Sequence, residues 1–189
     1  IRIYQKAANL YPGDAKIQRA LSISYLIEQS NKVAEENTSL SDIDKNSYSR
    51  NIERLRNLTR EFPDAAHIHR ALADLQLLQG EEREAMQHYR CAMALGITDL
   101  QSLCRHFENI RFLRDVSATA SVFFAEVYQR IGAIEQADHL FQELLNRGNP
   151  PRTVLDKYGE FLQRQIENTD SRQDIELQAY YLRQLAHVC

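Results

Sequence analysis

The chain has 189 residues, 43% hydrophobic and 26% charged, with six Gly, four Pro and a formal net charge of −3. That is enough apolar surface for a buried core and too few turn residues for a many-stranded β fold. The 23 Lys and Arg against 26 Asp and Glu argue against a nucleic-acid surface, which needs a continuous positive patch, and no apolar stretch approaches the roughly 20 residues of a membrane span.

Helical spacing begins at once. Ile3, Tyr4, Ala7 and Leu10 recur at three- and four-residue intervals and stop at Pro12, so the chain opens midway through a helix. With no initiating Met and with Cys189 ending a helix, the sequence reads as a piece of a longer repeat protein. Leu21, Ser22 and Tyr25 mark the next helix, and Ile52, Leu55 and Leu58 mark its partner, closed by Pro63. Between them, residues 29–47 form a polar insertion. Val33 and Ala34 continue the preceding apolar face and Ser41 with Asp44 spells a capping box, so two lengthened helices with a polar tip are favoured over one long loop.

Next come Leu72, Ala73 and Leu77, then Gly80, then Ala85, Tyr89 and Ala92. The same order returns as Phe124, Ala125 and Tyr128, then Gly132, then Ala137, Phe141 and Leu144. A Gly able to adopt positive φ ends one helix. Small residues on the following helix let the two approach closely, and the aromatic fills the wedge between them. Between these two pairs, Leu100, Leu103, Cys104, Phe107, Ile110 and Leu113 describe an additional amphipathic helix that Asp99 can cap. The chain ends with Leu155, Tyr158, Gly159 and Leu162 on one helix and Leu177, Tyr181, Leu185 and Val188 on another.

This order of Gly, small, aromatic and small residues resembles the tetratricopeptide repeat (TPR) family, whose unit is about 34 residues of paired antiparallel helices. The resemblance implies an all-α, right-handed superhelical solenoid with one extra helix and one lengthened pair. Its parts would be the tail of a truncated repeat (1–12), a repeat with the insertion (14–62), a repeat (64–96), the extra helix (99–115), a repeat (117–149) and a degenerate repeat (151–189). Only the two central units match closely, and there His69 and Ser121 replace the usual large residue. Pro12 and Pro63 lie 51 residues apart, and Gly80 and Gly132 lie 52 apart. Each spacing exceeds one unit by about half a repeat. The extra helix is expected to kink the stack or to cover one side of its groove.

Signatures of catalysis are missing from the sequence: it has no Gly-rich phosphate loop, nucleophile elbow, His-Glu-x-x-His or Cys-x-x-Cys. No enzyme activity, cofactor or metal is therefore expected. The nearest metal constellation is His88, Cys91, Cys104 and His106, but Cys104 and His106 are two apart and project from different sides of a helix. Both Cys are read as small core residues and both His as surface or partly buried. Three Cys, including Cys189, favour free thiols, with the compartment open between cytoplasm and periplasm.

The resemblance also implies a binding groove lined by the first helix of each pair. Its candidate partner-binding residues are Arg19, Arg70, Asp74, Glu126, Asp156 and Glu160, basic at the N-terminal end and acidic from Asp74 onward. TPR units that grip the C-terminal carboxylate of heat-shock chaperones use a set of Lys, Asn and Arg. Here Arg19, Ile23, Ala71, Thr119 and Phe123 stand at those positions, so that partner is not implied. The leading expectation is a non-catalytic scaffold for a peptide or partner protein. Alternatives are a periplasmic module of a bacterial exopolysaccharide export system, binding polymer or docking a modifying enzyme, and a regulatory arm of a larger enzyme.

Overall fold

A computed structural model describes residues 2–14, 16–17, 20–21, 23–25, 28, 42–168 and 175–188. All regular structure among the described residues is helical: α1 (Arg2–Leu10), α2 (Asp42–Glu61), α3 (Ala66–Gln79), α4 (Glu82–Ala94), α5 (Leu100–Leu113), α6 (Ala118–Arg130), α7 (Ile134–Asn146), α8 (Arg152–Asn168) and α9 (Ile175–Val188), with further helical residues between 16 and 28. Among them no helix is long and apolar enough to cross a membrane. The backbone of 42–47 belongs to α2, which runs 20 residues. The rest of the polar insertion, like Arg19 and Cys189, lies outside the described residues.

The chain divides into two compact units, Ile1–Val116 and Ser117–Cys189. In the first, α3 is the central element and packs against α2, α4 and α5. Ten of its residues between Ile68 and Leu78 are buried. A helix enclosed on several sides cannot be amphipathic, because it has no wet face to supply polar positions. Ile52 and Leu55 of α2 meet Ile68, Ala71, Leu72 and Leu75 of α3, with Ile23, Leu58 and Ala65 at the margin. Each such aliphatic side chain stabilises the fold by about 1.5–3 kcal/mol when fully buried.

The repeat signature is the α3–α4 seam. Gly80 takes φ 93° and lets the Glu81 N–H reach the Gln76 carbonyl oxygen at 2.8 Å while its own N–H reaches that of Leu77 at 3.1 Å, a Schellman-type closure. Gly132 repeats it with φ 77°, the Ala133 N–H donating to Tyr128 O at 2.9 Å. Behind each turn the expected small and aromatic residues are fully enclosed: Ala85, Tyr89 and Ala92 on α4, Ala137 and Phe141 on α7. The pair runs antiparallel, since His69 meets His88 near one end and Gln76 meets Glu81 near the other.

The second unit is held by aromatic packing. Phe141 of α7 stacks on Tyr158 of α8 with centroids 5.0 Å apart, and Phe161 meets Tyr181 of α9 edge-on at 6.4 Å. Offset and edge-to-face rings contribute about 0.5–1.5 kcal/mol beyond their burial.

Candidate functional site

α5 is the additional helix expected from the sequence, and Asp99 caps it, its Oδ1 accepting from the Ser102 N–H at 2.9 Å. Its apolar stripe, Leu103, Cys104, Phe107 and Ile110, is buried. It packs against α3, the helix expected to line the groove in the first unit. The consequence falls on two of the predicted partner-binding residues.

Asp74 is only 1% exposed. Its Oδ1 accepts from the Tyr89 hydroxyl of α4 at 2.6 Å, and its Oδ2 lies 3.2 Å from His106 Nδ1 of α5 and 3.6 Å from Arg70 Nε. Arg70 turns inward as well and donates through Nη2 to the Ser102 hydroxyl at 2.7 Å. The reading of Asp74 as an exposed groove carboxylate is therefore corrected: it anchors three helices. Burial in a low-dielectric core demands partners for a carboxylate, and Tyr89, His106 and Arg70 supply them. Burial, then the Asp74 charge, pushes the Tyr89 hydroxyl well above its ordinary pKa of 10.0, so it stays a donor.

Ser102, His106 and Asp74 bring a hydroxyl, an imidazole and a carboxylate into one neighbourhood. His106 is 1% exposed, and the nitrogen it turns to Asp74 is the same one that faces Arg70 at 3.3 Å. The Asp74 carboxylate only accepts, so that contact calls for a proton on Nδ1, whereas Arg70 Nη2 only donates and calls for a bare Nδ1; the two contacts select opposite tautomers. Asp74 and His106 are buried, whereas Ser102 is half-buried and its hydroxyl accepts from Arg70 Nη2.

The four residues weighed as metal ligands are likewise dispersed. Among the described residues no group of three or more His, Cys, Asp or Glu is placed to hold a metal ion. His88 pairs with His69, Nδ1 to Nδ1 at 3.0 Å, and His69 Nε2 donates to the Pro63 carbonyl oxygen at 2.9 Å. That donation leaves His69 Nδ1 as the acceptor and makes His88 the donor. Burial first, then His69 and Arg56, holds the His88 imidazole below its ordinary pKa. Cys104 is in the core as expected, and burial raises its thiol to about 12; Cys91, expected there too, is exposed, and His106, expected near the surface, is buried. The α5–α3 contact encloses His106.

In the second unit the predicted acidic residues behave differently. Lys157 of α8 bridges two of them, 3.4 Å from Glu126 Oε1 of α6 and 2.9 Å from Glu160 Oε2. The Glu160 hydrogen bond, followed by the Glu126 charge, raises its pKa. Asp156 stands 4.0 Å from Arg152, and both remain largely exposed. Asp156 and Glu160 line an open cleft of about 760 Å³ between α8 and α9. Leu155, Gly159, Leu185 and Val188 supply its apolar lining, Arg152 and Gln163 the rest of its polar edge. Gly159 matters here because a Cβ would sit 3.9 Å from Leu185 Cδ1, so a larger side chain would fill the cleft.

Three side-chain features escaped sequence reading. The carboxylate of Asp138 gathers the hydroxyls of Tyr158 (2.7 Å) and Tyr180 (2.8 Å) and the amide of Gln142 (2.8 Å), tying α7, α8 and α9 together. The His69–His88 pair and the Arg114 cap on α3 are the others. Apart from the Asp138–Gln142 contact, one helical turn apart, these are pairings between residues 19 to 42 positions apart, which periodicity does not register. No protein-family model, no curated protein and no solved structure matches the chain.

Proposed function

We propose that this chain is a non-catalytic interaction module, a segment of a right-handed TPR-like solenoid, that docks a partner protein in the α8–α9 cleft. The observation that carries this reading is the cleft itself: an aliphatic lining of Leu155, Leu185 and Val188 under an exposed acidic edge of Asp156 and Glu160. Binding sites of this size are concave and mostly apolar, with a few polar groups that set orientation. Two helices braced by the Asp138 cluster present it preformed, which lowers the ordering penalty on association. The first unit supports the same division of labour, because α5 occupies the α3 face on which a groove was expected and leaves the second unit as the docking surface. The enclosure of Asp74 and His106 supports a non-catalytic role.

The test is capture of partner proteins by the purified chain beside the Asp156→Lys, Glu160→Lys variant, with circular dichroism as the folding control. Capture by the wild type that the variant loses, at equal helicity, supports the reading. Equal capture by both sinks it, and retention of a cationic or neutral polysaccharide without any protein moves the chain to the polymer-handling class.

A further inference from the structure

We propose that Asp74, His106 and Arg70 form a two-position device in the core of the first unit, in which the placement of the His106 ring proton decides whether Asp74 Oδ2 is held by α5 or by its own helix.

The geometry around one nitrogen carries the inference. His106 Nδ1 lies 3.2 Å from Asp74 Oδ2 and 3.3 Å from Arg70 Nη2, while Asp74 Oδ2 lies 3.6 Å from Arg70 Nε. The carboxylate accepts and the guanidinium donates, so the two neighbours of Nδ1 ask opposite things of it. Arg70 Nε is itself buried without a hydrogen-bond partner among the described residues, and the oxygen that would receive it is the one facing His106.

In the first position Nδ1 carries the proton and donates to Asp74 Oδ2. Helix α5 is then tied to α3 by two separate bonds, His106 to Asp74 and Arg70 to the Ser102 hydroxyl at 2.7 Å. In the second position the proton sits on Nε2, and the bare Nδ1 accepts from Arg70 Nη2, whose two hydrogens serve Ser102 and His106 together. Asp74 Oδ2 then turns to Arg70 Nε, one helical turn away on α3, and closes the 3.6 Å gap. The Tyr89 hydroxyl holds Asp74 Oδ1 at 2.6 Å in both positions, so the carboxylate pivots about that bond and stays anchored to α4. One proton leaves one ring nitrogen and arrives at the other, and the net charge of the core is unchanged. Each position satisfies the buried carboxylate, and a packed core moves between such discrete arrangements rather than deforming continuously.

The test reads the His106 ring nitrogens by long-range 1H–15N NMR at about pH 8, above the range in which histidines ordinarily titrate. The His106 signals are identified by their loss in His106→Gln. The wild type is expected to show Nδ1 shared between the protonated and bare forms, as an intermediate shift or as two signals. Asp74→Asn puts an amide donor beside Nδ1 and is expected to move it to the bare form, whereas Arg70→Met removes the guanidinium and is expected to move it to the protonated form. Circular dichroism checks that each variant keeps the wild-type helicity, and the wild-type spectrum decides alone if one does not. A wild-type Nδ1 that is wholly protonated, wholly bare or part of an imidazolium overturns the proposal, as do folded variants that leave its signal where it was.

Discussion

Arg114 caps the helix that Gly80 ends. Its Nη1 donates to the Leu77 carbonyl oxygen at 2.9 Å, and a Cβ built on Gly80 would stand 2.5 Å from that same nitrogen. The glycine therefore serves twice, once through its φ of 93° and once through the space it leaves for a side chain 34 positions downstream. Gly80→Ala should destabilise the first unit by about 1–2 kcal/mol from the left-handed backbone alone, and Arg114→Ala by about 1 kcal/mol. Because the alanine also displaces Arg114, the double variant should lose less than the two together, which a double-mutant cycle in urea reads directly. Strict additivity would show that Gly80 acts through its backbone only.

Tyr89→Phe and Tyr158→Phe remove the same hydroxyl from two differently supported carboxylates. Asp74 loses its Oδ1 donor in a fully buried site, so Tyr89→Phe should destabilise by about 1–3 kcal/mol. Asp138 keeps Tyr180 and Gln142 at its other oxygen, so Tyr158→Phe should lose about 1 kcal/mol or less. Urea midpoints that rank the other way would place the greater dependence on Asp138.

Acid should loosen the first unit through His88. Folding holds its pKa below the ordinary 6.5, so below that pH the unfolded chain takes up a proton that the folded chain resists. The contribution is complete above 6.5 and is lost as pH falls through the folded value; His67, lowered by burial, acts in the same sense. Comparing melts at about pH 7.5 and about pH 5, the wild type should lose more stability than His88→Gln. Equal losses would assign the acid sensitivity elsewhere.

Alkali should act on the second unit. Burial, then the Asp138 hydrogen bond, raises Tyr180 to about 12, and Tyr158 is raised further for the same causes. Unfolded tyrosines ionise near 10, so stability should fall as pH rises from there through the folded values. Absorbance titration should show a fraction of the tyrosines ionising above the ordinary value, and Tyr180→Phe should shrink that late fraction.

The α3–α4 seam allows a direct check of the repeat register. Ala85 is wholly enclosed between the helices, so Ala85→Arg should destabilise by at least about 3 kcal/mol through overpacking and a buried charge. A melting curve like the wild type's would displace the seam from Ala85.

Gly80, Ala85, Tyr89 and Ala92 could be read as a helix seam from spacing alone, because contacts between helices joined by a tight turn are nearly local and leave a periodic trace. The same holds for Gly132 with Ala137 and Phe141, and for the amphipathic helix capped by Asp99. Asp156 and Glu160 were legible as a wet helix face, and they do edge the cleft. The fate of Asp74 and Arg70 was not legible. Residues 70 and 74 project from the same side of α3 whether that side meets water or another helix, and a sequence pattern does not say which.

What the sequence determined by itself is the all-helical character, the helix boundaries at Gly80 and Gly132 and the small and aromatic residues that let paired helices close. These follow from backbone propensity and short-range periodicity. The tertiary structure alone decided that α5 lies on α3, turning an expected groove acid into the buried partner of Tyr89 and His106, and that α8 and α9 leave a cleft open between them. Those outcomes depend on which faces meet across 30 or more residues, and burial then sets whether a carboxylate binds a partner or holds the fold together.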